Sequence, residues 1–255
     1  NLIVQNAYVF ILATGMLFCI LTGGNIDLSV GSVVCFVGAV GGKMMVTNEM
    51  NPYLSIIVML LVGLLIGAWQ GFWIAYVRIP PFIVTLAGML VFRGLSNVVL
   101  EGMTLAPMPD NFLALFNNYI PDFFGMEGFN MTCFLVGVVV CVLYVFMVLK
   151  GRASRAKKGY RVEPFGGVLI KMIVICAAVL AFMFRLAQYK GIPNSLVWIV
   201  LVIAVYTYIA SKTTVGRYFY AVGGNEKATK LSGINTNRVY FLAYLNMGFL
   251  AAVAG

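Results

Sequence analysis

The chain has no histidine among its 255 residues, and so lacks the commonest metal ligand and the commonest general base at neutral pH. Charge is scarce: Asp, Glu, Lys and Arg together make 10% of the chain, where a water-soluble domain carries about a quarter. So few charges cannot build a solvated shell. The five cysteines (Cys19, Cys35, Cys133, Cys141 and Cys176) all sit in apolar runs with no CxxC pair, so they read as small core residues rather than disulfides or metal ligands. No GxxxxGK[ST] phosphate loop occurs, which excludes a Walker-type ATP site in this chain. With no nucleophile–base pair and no metal-ligand cluster in the pattern, the chain does not read as an enzyme.

What is abundant is oil. Apolar residues make up 62% of the chain and the mean hydropathy is +0.98, so lipid must be the solvent. A span needs about 20 apolar residues, and the candidates are 3–22, 30–47, 53–77, 79–100, 131–149, 164–187, 195–211 and 239–255. The expected fold is an all-α polytopic membrane protein, a single transmembrane domain over 1–255 with about eight transmembrane or re-entrant helices. Segment 30–47 is glycine-rich and carries Lys43, while 79–100 opens with Pro80-Pro81 and holds Arg93. Both are expected to be broken, re-entrant or shielded by protein. The chain begins without an initiator Met and its last apolar run stops at Gly255, so further terminal spans are expected outside this sequence.

Charge placement gives the orientation. The stretch 150–161 holds Lys150, Arg152, Arg155, Lys157, Lys158 and Arg161, and 212–238 adds Lys212, Arg217, Lys227, Lys230 and Arg238, eleven of the seventeen basic residues. Two spans separate these stretches, so both face one side, which the positive-inside rule makes cytoplasmic. The loop 101–130 carries Glu101, Asp110, Asp122 and Glu127 with no Lys or Arg, and is expected outside. The net charge of +9 is thus a topology signal rather than a nucleic-acid footprint.

Within the second basic stretch, GRYFYAVGGNEKATKLSGINTNR (216–238) is long for a connection and carries the aromatics Tyr218, Phe219 and Tyr220. Asn225–Ser232 predicts two helical turns. Asn225 serves as N-cap, Glu226 sits at the positive end of the dipole and Gly233 terminates the helix. Gly223-Gly224 before it would allow a sharp turn at positive φ. A short helix standing proud of the membrane suits docking of a cytoplasmic partner, with Leu231 as apolar anchor and Ala228 and Gly233 leaving room for close approach.

This stretch resembles the cytoplasmic loop of the permease subunits of ABC sugar importers, the ribose, xylose and multiple-monosaccharide group. GGNIDLSVGS (23–32) is similar to the same family's Gly-x-Ile-Asp-Leu-Ser-Val-Gly signature, with Asn25 lengthening the spacing by one residue. RIPPFIVTLAGMLVFRGLS (78–96) is similar to its Ile-Pro-x-Phe-Ile-Val-Thr-Leu and Phe-Arg-Gly elements. LLIGAWQGFWIAYVRIP (64–80) and the basic stretch 150–161 are most like the multiple-monosaccharide and xylose branch. The resemblance implies a bacterial inner-membrane homodimer that carries a monosaccharide by alternating access. A partner ATPase holds the ATP and Mg, an extracytoplasmic sugar-binding protein delivers the sugar, and no cofactor is bound by this chain. It assigns the coupling loop to Gly216, Arg217, Ala221, Gly223, Gly224, Asn225, Glu226, Ala228, Leu231, Ser232 and Gly233. The outer loop 101–130, with exposed aromatics such as Phe112, Phe116 and Phe124, is either a dock for the binding protein or a simple lid.

Candidates for a polar sugar path are Asp27, Ser29, Trp69, Gln70, Trp73, Thr85, Arg93 and Asn97. Each has a plainer role. Asp27 or Ser29 can cap the helix starting near Val30; Trp69 and Trp73, sharing a face, can belong to an interfacial aromatic belt. Arg93 can pair with Asp27 or meet the outer interface. The competing function is an ion-coupled secondary transporter of small polar solutes, which calls for intramembrane ionisable groups. Asp27 stands nearly alone, and the cytoplasmic helix would then have no task.

Overall fold

A computed structural model describes residues 2–125, 128–160 and 164–255; Glu127 and Arg161, counted above among the loop charges, lie outside the described residues. The chain is an all-α polytopic membrane protein. In chain order its helices are α1 (Leu2–Gln5), α2 (Ala7–Leu21), α3 (Val30–Gly42), α4 (Pro52–Ala75), α5 (Pro81–Leu100) and α6 (Asp110–Phe116). They continue as α7 (Met131–Lys157), α8 (Phe165–Ala187), α9 (Asn194–Lys212), α10 (Thr214–Gly224), α11 (Glu226–Leu231) and α12 (Thr236–Ala254). Among the described residues six segments are long and apolar enough to cross a membrane: Val30–Thr47, Pro52–Ala75, Pro81–Leu100, Met131–Lys157, Phe165–Ala187 and Asn194–Lys212. The two remaining apolar runs are also helical, as α2 and α12.

Three elements sharpen or correct the sequence expectation. The run 79–100 is not broken: Pro80 is the N-cap and Pro81 the first helical residue of a continuous α5, where a missing N–H is harmless and the fixed φ suits the helix. Segment 30–47 is also unbroken, and of the expected alternatives it takes the shielded one, with a larger buried share than the other five spans; at Lys43 the helix widens into a π-helical turn over Lys43–Thr47. The basic stretch 150–161 is mostly helix, since α7 runs on to Lys157. Its 27 residues measure about 40 Å, longer than the hydrocarbon core.

The chain divides into two compact units, Asn1–Phe116 with Ser195–Gly255, and Asn117–Asn194. The second is a hairpin of α7 and α8. Gly137 lies against Met183, the Cys133 thiol donates to the Met183 carbonyl, and the Asn130 side chain caps α7 by accepting from the Cys133 N–H. The approach to α7 is pinned by Asp122, whose Oδ1 accepts from both the N–H and the hydroxyl of Thr132. These bonds, the Thr132 hydroxyl first, hold the Asp122 carboxyl down at about 2.

The first unit is built around α12. Its buried residues enter all three apolar clusters: Val239, Ala243, Tyr244 and Met247 pack with α2, α4, α5 and α10, Ala251 and Ala252 with α3, α4 and α5, and Leu250 with α2 and α9. Against it runs a seam of small residues on α4, Gly63, Gly67 and Gly71, one per turn. A Cβ placed on Gly63 would lie 2.5 Å from the Gly248 carbonyl oxygen, and one on Gly67 would lie 2.6 Å from that of Tyr244. In lipid, helices gain nothing from hydrophobic expulsion, so close backbone packing is what holds such a pair.

Gly67→Ala is therefore expected to destabilise the fold by about 1–3 kcal/mol in reversible unfolding from mixed micelles. Gly94→Ala, where added atoms meet open space, should stay within about 0.5 kcal/mol of the parent. Equal effects at the two positions would contradict the seam.

Candidate functional site: the helix pair after α9 and the buried polar bridge

The polar stretch after α9 folds as two helices, not as a loop around one. Thr213 opens α10, its hydroxyl accepting from the Gly216 N–H at 3.2 Å. Gly216 is buried against the carbonyls of Ile209 and Ala210, with no room for a side chain. One of the three aromatics now has a reason, while Tyr218 and Tyr220 are exposed. Phe219 is buried edge-on against Phe18 at 4.8 Å between ring centroids, and Val222 joins the same cluster, so α10 lies along α2. Gly223 meets the Leu21 carbonyl so closely that no Cβ fits.

Gly223 and Gly224 do not make the expected positive-φ turn; both are helical, at the end of α10. The corner is Asn225 itself, in extended backbone at φ −160° and ψ 101°. From there its side chain accepts the Ala228 N–H at 3.0 Å and caps α11. Gly233, at φ +84°, ends it in the left-handed conformation that glycine adopts without strain. Thr229, buried, donates from its hydroxyl to the carbonyls of Ala221 and Asn225, each at 2.8 Å, fastening α11 to α10.

The two sides of α11 are unlike. Lys227, Ala228, Lys230, Leu231 and Ser232 are exposed, with Leu231 at 90%; Arg217, on α10, is exposed as well. Glu226 turns back toward the membrane helices. Its Oε1 accepts from Arg78 at 2.9 Å and its Oε2 from the Tyr240 hydroxyl at 3.0 Å. The Arg78 guanidinium also donates to Thr236 Oγ1 and Asn237 Oδ1 at the start of α12, and lies over the Tyr240 ring. Desolvation pushes the Glu226 carboxyl up, but the hydrogen bonds from Arg78 and Tyr240 and the guanidinium charge outweigh it and hold it below the usual carboxylate range.

Arg78 was not legible as a site residue; 148 positions separate it from Glu226, and no spacing rule connects them. It stands two residues past the α4 C-cap, Tyr76, at φ +65°, with the Ile79 N–H reaching back to the Trp73 carbonyl. That is the site where helices usually place glycine, and an L-residue there costs about 1–2 kcal/mol.

Of the eight path candidates, three come together. Asp27 Oδ1 accepts from the N–H and hydroxyl of Ser29 at 2.8 and 2.6 Å, and Gln70 Nε2 donates to Ser29 Oγ at 2.7 Å. All three are at most 3% exposed. Ser29 is the N-cap position of α3, so Asp27 organises the turn into α3 and Gln70 joins that turn to α4. Thr85, buried, returns its hydroxyl to the Pro81 carbonyl. One turn on, Gly88 gives the bridge its space, since a Cβ there would fall 2.6 Å from Gln70 Nε2. Trp69 and Trp73 point elsewhere and are 44% and 36% exposed. Arg93 and Asn97 are exposed on α5, and the buried Asp27 carboxylate accepts from Ser29. Among the described residues no group of three His, Cys, Asp or Glu side chains could hold a metal ion.

The comparisons with known proteins agree on one kind of protein. Residues 1–255 match the family described as branched-chain amino acid transport system / permease component. The xylose transport system permease protein XylH of Escherichia coli (strain K12) is 35% identical over all of this chain and 63% of its own length. XylH of Haemophilus influenzae is 32% identical over all of the chain and 66% of its own length. The ribose import permease protein RbsC of Haemophilus influenzae is also 32% identical, over all of the chain and 58% of its own length. The chain thus spans about three fifths of the length of the curated relatives it matches. No solved structure gives a significant match.

Because the folded-state Glu226 carboxyl is depressed, its contribution to holding α11 is fully present above the ordinary carboxylate value of 4.5 and is lost as pH falls below it. Amide exchange of 226–231, corrected for its intrinsic pH dependence, should be flat from pH 8 to 5 and rise only under more acidic conditions. A rise already at pH 6 would contradict the assignment.

Proposed function

This chain belongs to the family of branched-chain amino acid transport system permease components, and we propose that within it the chain is the multi-pass inner-membrane permease of an ATP-driven ABC importer for a monosaccharide. The permease relatives named for xylose and ribose support a pentose or related sugar as the cargo. The chain works as one half of a homodimer. ATP and Mg are held by a separate ATPase subunit, and the sugar arrives from an extracytoplasmic binding protein.

The observation that carries this is Leu231. A leucine 90% exposed, on a two-turn helix fastened from behind by Thr229 and Glu226, is a preformed anchor for a pocket on another protein. The exposed Lys227 and Lys230 on the same short helix suit a rim that sets register more than affinity. The eleven loop residues divide accordingly. Ala228 and Leu231 meet the ATPase and Ser232 and Gly233 close the helix. Asn225 caps it, Glu226 faces inward, and Gly216, Arg217, Ala221, Gly223 and Gly224 belong to the supporting α10.

The patch formed by Asp27, Ser29 and Gln70, with Thr85 on α5 one turn before Gly88, is the candidate polar lining of the sugar path, at the junction of α3, α4 and α5. Such a lining holds the sugar weakly, as release demands. An ion-coupled transporter would leave the exposed face of α11 without a task.

Leu231→Asp together with Glu226→Arg is expected to abolish capture of the ATPase subunit and sugar uptake in vesicles while the chain still inserts. For Leu231→Asp alone, capture should weaken at least about thirtyfold, as for an interface hot spot. Replacing 223–233 by a Gly/Ser linker should do the same. Uptake that persists after either change, driven by an ion gradient and indifferent to ATP, would overturn the proposal.

A further inference from the structure

We propose that Arg78 is a transmission residue: it carries displacement of α11 into the α4–α5 connection, and so toward the buried polar bridge. This rests on the coupling role of α11 proposed above.

Three features converge on it. First, Arg78 sits in left-handed backbone at the end of α4, where glycine would be free of strain; a strained side chain persists where its contacts hold it in place, and such sites concentrate at switches. Second, those contacts reach three elements at once. The guanidinium bonds Glu226 of α11 and Thr236 and Asn237 of α12, while its backbone is the link between α4 and α5. Third, the same node abuts the other end of the path. The Tyr240 hydroxyl that bonds Glu226 lies against Gly23, where a Cβ would meet it at 3.8 Å. Gly23 and Gly24 are the positive-φ residues that open the segment leading to Asp27 and Ser29.

The geometry therefore gives the α10–α11 pair two rigid contacts with the membrane helices. Gly223 presses on the end of α2, and Glu226 grips Arg78. The first leads into the turn that Asp27 organises; the second leads into α4, which carries Gln70 eight residues before Arg78, and into α5, which carries Gly88 ten residues after it. Both routes end on the Gln70–Ser29 hydrogen bond. A push on α11 that moves α3 and α4 unequally would change that contact, and Arg78 is the point where the second route is a side chain rather than a covalent chain.

The test uses four variants, Arg78→Gly, Arg78→Ala, Arg78→Lys and Leu231→Asp, in the full transporter reconstituted with its ATPase and binding protein. Arg78→Gly removes the guanidinium but relieves the backbone, so it separates transmission from stability. The expected result is thermal stability no lower than that of Arg78→Ala, ATPase capture and hydrolysis within about twofold of the parent, and sugar moved per ATP lowered on the order of tenfold, as for loss of a charge-assisted network. Arg78→Lys should fall between, since an ammonium meets Glu226 but not the two α12 acceptors together. In the chain alone, Arg78→Gly should raise amide exchange in 79–85 and in 226–231 together by about tenfold, leaving 214–224 unchanged.

Arg78→Gly that transports normally overturns the proposal, as does one that loses ATPase capture in parallel with uptake; in the latter case Arg78 only shapes the docking face. Exchange that rises in 226–231 alone overturns it as well. Leu231→Asp that keeps ATPase capture overturns the docking role of α11 instead, and the exchange result then still decides whether Arg78 joins the two regions.

Discussion

The contact on which the rest depends is backbone against backbone, where Gly63, Gly67 and Gly71 of α4 meet Gly248 and the carbonyls of Tyr244 and Phe241 on α12. In lipid two apolar helices have no reason to prefer each other over acyl chains, so the preference must come from packing that lipid cannot match. Glycines supply it by letting two helix axes approach until only main-chain atoms intervene. With that distance set, α12 becomes a post around which α2, α3, α4, α5, α9 and α10 arrange their buried faces.

The functional groups hang from this post at one end. The last turn of α4 leads to Arg78 and the first turn of α12 presents Thr236, Asn237 and Tyr240, so the seam that fixes the two helices also fixes the cradle that receives Glu226. The short helix α11 would be marginal alone, as two turns of helix are in water. It persists because Asn225 caps it, Thr229 ties it to α10, and the carboxylate at its start is held from the membrane side. What it offers outward is then a single apolar residue on a stiff support. Further into the fold α3, α4 and α5 meet at Asp27, Ser29 and Gln70, polar groups that satisfy one another out of water and so can lie at depth without a prohibitive desolvation cost.

Much of this was readable from residues alone, for physical reasons that differ by element. The spans were legible because lipid imposes length and hydrophobicity together, and α11 because Asn225, Glu226 and Gly233 are local capping signals that need no tertiary knowledge. Asp27 was legible as a residue of the turn into α3, but neither its side chain nor that of Ser29 caps an amide of that helix; Asp27 accepts from Ser29 instead. Misread were the elements where a local signal has two uses. Pro80-Pro81 reads as a break but starts a helix, Gly223-Gly224 reads as a turn but is a place of close approach to Leu21, and a run of cations reads as a loop but continues α7. The α4 seam left a signal, glycine at every fourth position from Gly63 to Gly71, that hydropathy passes over. Arg78 left none, because its partners are distant in the chain and its unusual φ shows only in three dimensions.

The most direct test is a structure of the chain bound to its ATPase subunit in a lipid nanodisc. It should show Leu231 enclosed in an apolar pocket of the ATPase, with Lys227 and Lys230 at the rim and Glu226 still facing Arg78 and Tyr240. An ATPase seated instead on the basic end of α7, with Leu231 open to water, would contradict it.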